Sequence, residues 1–247
     1  MCDVFGPLLT FVCGSFSHEA SLAASLVHPN IVKTLGICIR PPHIALVTEL
    51  CEDGCLSDYL KANDIRTNMN ELFKIRCAMD AVAAVEYMHS RNILHRDIKA
   101  ENYFITGKGT VKLGDFGEST LFEVKKKDLE QQSNPQQLQK RRSVTLPGGK
   151  KMTIVGTVTN MAPEMINNES RYTEMVDIYS LGVTMWEMWT GSEPFTSFNQ
   201  FQIYKLVGEL GVRPDCPVEM NEVYRDCVQA AWAQDPTGRP SAEKLYR

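Results

Sequence analysis

The sequence predicts an α+β chain, and three patterns in it carry that prediction. Two β-type runs, Ile31–Ile39 and His43–Leu50, are separated only by Arg40-Pro41-Pro42, a turn signal that pairs them. Asn70–Ser90 places Leu72, Ile75, Met79, Val82, Val85 and Met88 at three- and four-residue spacing, the mark of an amphipathic helix with a core face. Val176–Thr190 is apolar almost all round, as suits a helix buried at the centre of a domain.

The elements follow in order. Residues 1–16 read as irregular or weakly extended. Ser17–Val27 is helical, with Ala20, Leu22, Ala23, Ala24 and Leu26 among good helix formers, and His28-Pro29-Asn30 ends it because proline cannot continue a helix. After the strand pair, Glu52-Asp53-Gly54 leads into a short helix through Leu60, with acidic residues at its entry. The long helix delivers the chain to Asn92-Ile93-Leu94. Tyr103-Phe104-Ile105 and Thr110–Leu113 then form a hairpin around Gly107-Lys108-Gly109. Phe198–Leu210 and Glu222–Ala233 read as two further helices.

A chain of 247 residues suits one large domain or two lobes, and 43% hydrophobic with 23% charged residues is ordinary for a globular protein. A formal charge of −4 gives no reason to expect nucleic acid or an acidic membrane as partner. Eight cysteines stand without C-x-x-C pairs or nearby histidine spacing, which indicates neither zinc nor a disulfide framework and fits a reduced, cytoplasmic setting. The apolar run Val4–Phe16 is shorter than the ~20 residues a membrane span needs and lacks the basic start of a signal peptide. Cys2 breaks the myristoylation pattern, so no membrane contact is expected from this segment.

The chemistry concentrates in His95–Asn102, H-R-D-I-K-A-E-N, and in Asp115-Phe116-Gly117 shortly after. The carboxylate of Asp97 can orient an attacking hydroxyl and take its proton, and the ammonium of Lys99 can offset charge on a moving phosphoryl group. Asn102 and Asp115 offer hard oxygens of the kind Mg²⁺ takes. H-R-D-x-x-x-x-N followed by D-F-G, with Met161–Glu164 (M-A-P-E) and Gly238–Pro240 (G-R-P) downstream, resembles the signature of a eukaryotic protein kinase over residues 17–247.

That resemblance implies a two-lobed kinase-like fold, with residues 1–50 as a partial small lobe and 51–247 as the large lobe. It implies ATP and Mg²⁺ as cofactors and transfer of the γ-phosphoryl group to Ser or Thr hydroxyls of protein substrates. Asp97, Lys99, Asn102 and Thr157 would be catalytic, with Asn102 and Asp115 holding the metal. Thr48 as gatekeeper, the backbone of Glu49 and Cys51, and Phe104 beneath the base would receive adenine, with Lys99, Asn102 and Asp115 at the phosphates. Main-chain groups would do the hinge work, so side-chain identity there is expected to matter little. Cys55 would be a small packed thiol near the cleft mouth. Glu19 would be the helix glutamate that pairs with an ATP-anchoring lysine. Thr34, Ala23, Phe116 and His95 would form an internal stack, with Gly117 completing the D-F-G turn. Asp177 would cap the backbone of His95-Arg96, and Arg239 would pair with Glu164. Lys99 and Thr157 together imply a serine/threonine kinase, while G-C-L-S-D-Y-L and D-I-Y-S-L-G-V-T-M-W-E-M resemble the tyrosine-kinase-like branch.

Two features depart from the family. Between D-F-G and M-A-P-E the chain runs from Glu118 to Asn160, 43 residues, and its Gln-, Lys- and Arg-rich middle, about 122–155, is expected to be disordered. Ser143, Thr145 or Thr153 in it is expected to be phosphorylated, by an upstream activating kinase, and to dock near Arg96. No lysine precedes Lys33, and no G-x-G-x-x-G stands upstream of Glu19. Two readings therefore stand side by side: a piece of a longer kinase, in which an intracellular segment is cut within the small lobe and again near Arg247, or a kinase-like scaffold that binds partners without transfer.

Overall fold

The computed structural model describes residues 19–40, 43–62, 70–122, 157–167 and 172–247. Ser143, Thr145 and Thr153, and most of the long insertion, lie outside them.

Helix α1 (19–25) turns Ala20, Leu22 and Ala23 inward and is followed by two strands, β1 (Thr34–Arg40) and β2 (His43–Thr48). These pair antiparallel from Thr34↔Thr48 to Arg40↔His43, with an irregularity between Thr34 and Gly36. The expected first strand began at Ile31, but Ile31 instead bridges Leu113 in parallel. Val32 N donates to Leu113 O (2.8 Å), Leu113 N to Asn30 O (2.8 Å), and the buried Asn30 amide to Val111 O (3.0 Å). The chain thus ties the small strand pair to the floor of the cleft before β1 begins.

The larger part opens with α2 (Leu56–Ala62) and α3 (Glu71–Ser90), the latter capped by Asn70, whose side chain accepts from Phe73 N at 2.8 Å. The face that α3 buries is not quite the expected one. Val82, Val85 and Met88 are buried, but Leu72 and Met79 are exposed, and Cys77, Ala78, Ala81 and Ala84 take the contact instead. Small side chains let helices approach closely, so size in the sequence misplaced the buried stripe. Strand β3 (Ile93–Leu94) then pairs β6 (Thr120–Leu121), and β4 (Tyr103–Ile105) forms a hairpin with β5 (Val111–Leu113), so both ends of the 95–102 segment are pinned.

After the short helix α4 (Pro163–Ile166), α5 (Met175–Thr190) runs through the centre with all 16 residues buried and ends on Gly191 at φ 63°. A Cβ on Gly182 would lie 2.8 Å from Ala231 Cβ, so only glycine admits α7 (Glu222–Ala231) this close. The single helix expected over Phe198–Leu210 is broken up. Asn199 and Gln202 form a reciprocal capping box for α6 (Gln200–Ile203), and Tyr204–Glu209 continues with the wider π turn. A Cβ on Gly208 would lie 2.8 Å from Ile166, and Asn167 donates to Gly208 O, so the widened turn seats against α4. The chain ends in α8 (Ala242–Tyr246). No helix among the described residues is long and apolar enough to cross a membrane, and the six described cysteines are free thiols.

One buried ion pair locks the lower half. Arg239, with a fully buried side chain, donates to both oxygens of Glu164 (2.7 and 2.9 Å) and also to the carbonyls of Met175, Ala233 and Gln234. Every guanidinium nitrogen has an acceptor, which is the condition for a buried charge to be tolerated. Glu164→Ala leaves that guanidinium buried without its counter-ion, and urea unfolding should show a loss of about 3–5 kcal/mol.

Glu187 on α5 carries a pH signature. Burial pushes its carboxyl up to about 8; the hydrogen bond from Asn160 (3.2 Å) and the charge of Lys61 oppose this, while the charges of Glu101 and Glu193 add to it. A carboxyl with a raised folded-state pKa stabilises fully below its unfolded value and loses that contribution as pH climbs through the folded one. Unfolding free energy should therefore fall between about pH 5 and 8. Glu187→Gln keeps the acceptor for Asn160 and should flatten that slope.

Candidate active site

Two short loops, 94–103 and 114–119, meet below the strand pair. The first is held by one carboxylate. Asp177, 1% exposed at the start of α5, accepts from His95 N (2.9 Å), Arg96 N (2.8 Å) and His89 Nε2 (2.9 Å). Burial pushes this carboxyl up, but the His89 bond, the neighbouring imidazoles and the His95 N–H outweigh it, so it sits below the usual carboxylate value. These bonds help hold Arg96 in the left-handed region at φ 67°, a conformation that costs a non-glycine residue about 1–3 kcal/mol. His89 was not singled out in the sequence, where it reads as the end of an amphipathic helix.

The second loop is fastened to the first through backbone. His95 Nδ1 accepts from Asp97 N (3.3 Å), which puts the ring proton on Nε2, 3.0 Å from Gly114 O. Gly114 N donates to Asn102 O at 2.8 Å. The rings of His95 and Phe116 meet edge to face with centroids 5.6 Å apart, while Ala23 and Thr34 line the same cleft as Phe116. Thr34 Oγ1 is buried without a partner among the described residues, so the upper half of the expected stack is polar and thin. Asp115 follows at φ 56°, its Oδ1 accepting from Gly117 N (3.3 Å).

Around Asp97 the polar groups converge. Its carboxylate pairs with Lys99 Nζ (2.7 Å) and accepts from Asn102 Nδ2 (3.0 Å) and Thr157 N (3.1 Å). Lys99 also donates to Thr157 Oγ1 at 2.9 Å, so one ammonium spans the carboxylate and the hydroxyl. Asp97 and Lys99 side chains are only 13% and 20% exposed, which shields the pair from solvent screening. The Asn102 amide nitrogen bonds both Asp97 O and Asp97 Oδ2, which turns the amide oxygen away from Asp97. That oxygen and the carboxylate of Asp115 are donors that suit Mg²⁺.

Beside this cluster lies a cleft of about 350 Å³ lined by Glu19, Thr48, Glu49, Leu50, Cys51, Phe104, Asp115 and Phe116 among others. Its floor is shaped by Gly114, where a Cβ would lie 3.0 Å from the Phe104 ring and 3.1 Å from Val32. The Glu49 side chain has work the sequence did not announce: Oε1 takes Lys112 Nζ (2.7 Å) and Lys33 N (2.7 Å), fixing the hinge to β5 and to the turn before β1. This side-chain role is separate from the main-chain role expected of Glu49. Cys55 donates to Asp58 Oδ2 (3.2 Å), and burial, followed by the adjacent acid, pushes its thiol up rather than down. Glu19 reaches the D-F-G turn, its carboxylate 3.7 Å from where a Gly117 Cβ would be. Burial first, and the charge of Asp115 second, raise its pKa. It makes no ion pair with a described residue, and residues 1–32 contain no lysine or arginine.

Arg96 is engaged without any phosphate. Its Nε donates to Glu118 O (2.6 Å), its Nη2 lies 3.9 Å from Glu118 Oε2, and Nη1 reaches Tyr172 Oη (3.5 Å). Neither Glu118 nor Tyr172 belongs to a motif that would have marked it in advance.

Known proteins are similar to this chain over most of its length. A family profile described as protein tyrosine and serine/threonine kinase matches residues 13–247. The serine/threonine/tyrosine-protein kinase HT1 of Arabidopsis thaliana is 32% identical over 93% of this chain, and the match takes up 53% of HT1. The serine/threonine-protein kinase CTR1 of the same plant is 31% identical over 92% of the chain, and a probable serine/threonine-protein kinase of Dictyostelium discoideum is 32% identical over 95%. The chain spans only 25% and 23% of the length of those two relatives. With the fold, the two loops and these matches in agreement, the chain belongs to the protein tyrosine and serine/threonine kinase family.

Proposed function

We propose that the chain carries the phosphoryl-transfer centre of a protein serine/threonine kinase, acting on Ser or Thr hydroxyls of protein substrates with ATP as donor. The observation that carries this reading is the bridge of Lys99 between the Asp97 carboxylate and the Thr157 hydroxyl. Lys99 and Thr157 are the pair that separates serine/threonine from tyrosine chemistry, and here they touch. The relatives' names point the same way.

Each residue has a stated task. Asp97, held from three sides, accepts the hydrogen bond of the incoming hydroxyl and takes its proton as the new phosphorus–oxygen bond forms and the bond from the γ-phosphorus to the bridging oxygen breaks, releasing ADP. Lys99 stands where charge accumulates on the phosphoryl oxygens and opposes it electrostatically. Thr157 fixes the ammonium from the opposite side. Asn102 and Asp115 would hold Mg²⁺, which, when bound, offsets charge on the phosphate oxygens. Thr48, the Glu49 and Cys51 backbone and Phe104 would receive the base. Asp177 acts through the loop by keeping His95-Arg96 in place, and so positions Asp97. Positioning and electrostatics, rather than covalent chemistry by the protein, supply the rate.

A second reading has its own observation. Glu19 faces Asp115 and forms no ion pair with a described residue, so a non-catalytic scaffold of the same family is the rival. Phosphorylation of a generic protein from Mg-ATP separates the two. Asp97→Asn keeps the hydrogen-bonding shape but removes the proton acceptor, so turnover should fall about 10²–10⁴-fold while nucleotide affinity, read by thermal shift, stays within about twofold. Equal background signal from both proteins would leave the scaffold reading standing.

A further inference from the structure

A cavity of about 720 Å³ that shares no lining residue with the cleft opens between the C-terminal end of α5 and residues 192–198 and 212–219. Its walls are aromatic and fixed. Trp186 Nε1 donates to Asp215 O (2.9 Å), Trp189 packs on Tyr224 with centroids 4.8 Å apart, and Phe195 meets Phe198 edge to face at 6.5 Å. At its depth stands Lys74, only 8% exposed.

Lys74 is an unusual residue to find there. Its ammonium donates to Trp189 O (2.9 Å) and lies 5.1 Å from the Trp189 ring centroid, both neutral partners. It forms no ion pair with a described carboxylate. The acids of the lining, Glu193, Asp215 and Glu219, are exposed, and Glu193 is already paired with Lys61 (2.6 Å). The only carboxylate whose charge acts on it is that of the exposed Glu219, and burial still outweighs that charge and lowers the ammonium's pKa. A buried cation so weakly compensated costs stability, and an anion arriving from outside recovers part of it. Arg213 also lines the cavity, but its guanidinium is spent on Trp232 O, Val212 O and Gln234 Oε1, so Lys74 is the one buried charge of an aromatic-walled cavity of a size that suits a small molecule.

We propose that this cavity binds a small amphipathic acid, its carboxylate on the Lys74 ammonium and its aromatic or aliphatic body against Trp186, Trp189 and Phe195. The site is separate from the phosphoryl-transfer centre and does not depend on that reading. 4-Phenylbutyrate is a suitable probe, with 4-phenylbutanol as its uncharged counterpart. The three tryptophans resolve the answer in an amide-and-indole NMR spectrum, because Trp186 and Trp189 line this cavity and Trp232 does not.

Titrating phenylbutyrate into the full chain should move the indole signals of Trp186 and Trp189 and leave Trp232 in place. Phenylbutanol should bind about tenfold more weakly, as expected for losing a charge-assisted hydrogen bond. Lys74→Met should bring the two probes to equal, weak affinity, whereas Glu219→Gln, which removes a competing rim charge, should tighten the acid alone. Should Lys74→Met fail to fold, the comparison of acid with alcohol on the unmodified chain decides. Absence of shifts at millimolar phenylbutyrate, or equal affinity for acid and alcohol on that chain, overturns the proposal.

Discussion

The site depends on a single buried carboxylate. Asp177 sits at the head of a helix with no exposed face and spends both oxygens on the backbone of His95 and Arg96 and on the His89 ring. A charge so deep survives because donors surround it. In return it imposes a left-handed turn that Arg96 would not otherwise adopt, and that turn presents Asp97 to Lys99, Asn102 and Thr157. The second loop inherits its place from the first through His95 and Gly114, so the two carboxylate-bearing loops share one anchor.

Charge is distributed unevenly between the two halves of the site. Beside Asp97 an ammonium balances the carboxylate within a partly buried pair. Across the cleft Glu19 and Asp115 raise the local negative potential with no lysine or arginine in the first 32 residues to offset it. The polar cluster is thus self-sufficient electrostatically, whereas the cleft favours whatever brings positive charge with it.

Much of this was legible in the residues because motifs fix chemistry at short range. H-R-D-x-K-x-x-N and D-F-G named the cluster, and G-R-P named the arginine that grips Glu164. Other features were hidden because tertiary contacts decide them. His89 and Lys112 look like ordinary helix and strand residues, and only the fold brings them to Asp177 and Glu49. The buried stripe of α3 was misjudged because alanines, not the large apolar residues, make the closest contacts. Phe198–Leu210 lost its single-helix form to a cap at Asn199 and a tight seat for Gly208, neither of which leaves a periodic trace.

A helix buried on every side has a cost while the chain is being made. When α5 leaves the ribosome, the segments that will cover it, α7 and the Arg239 turn, have not yet been synthesised. Until Arg239 arrives to close on Glu164, the apolar side chains of this helix have no native cover on that flank. Nascent chains of this protein should therefore lean on chaperones longest during that interval, the stretch in which exposed apolar surface invites misassembly.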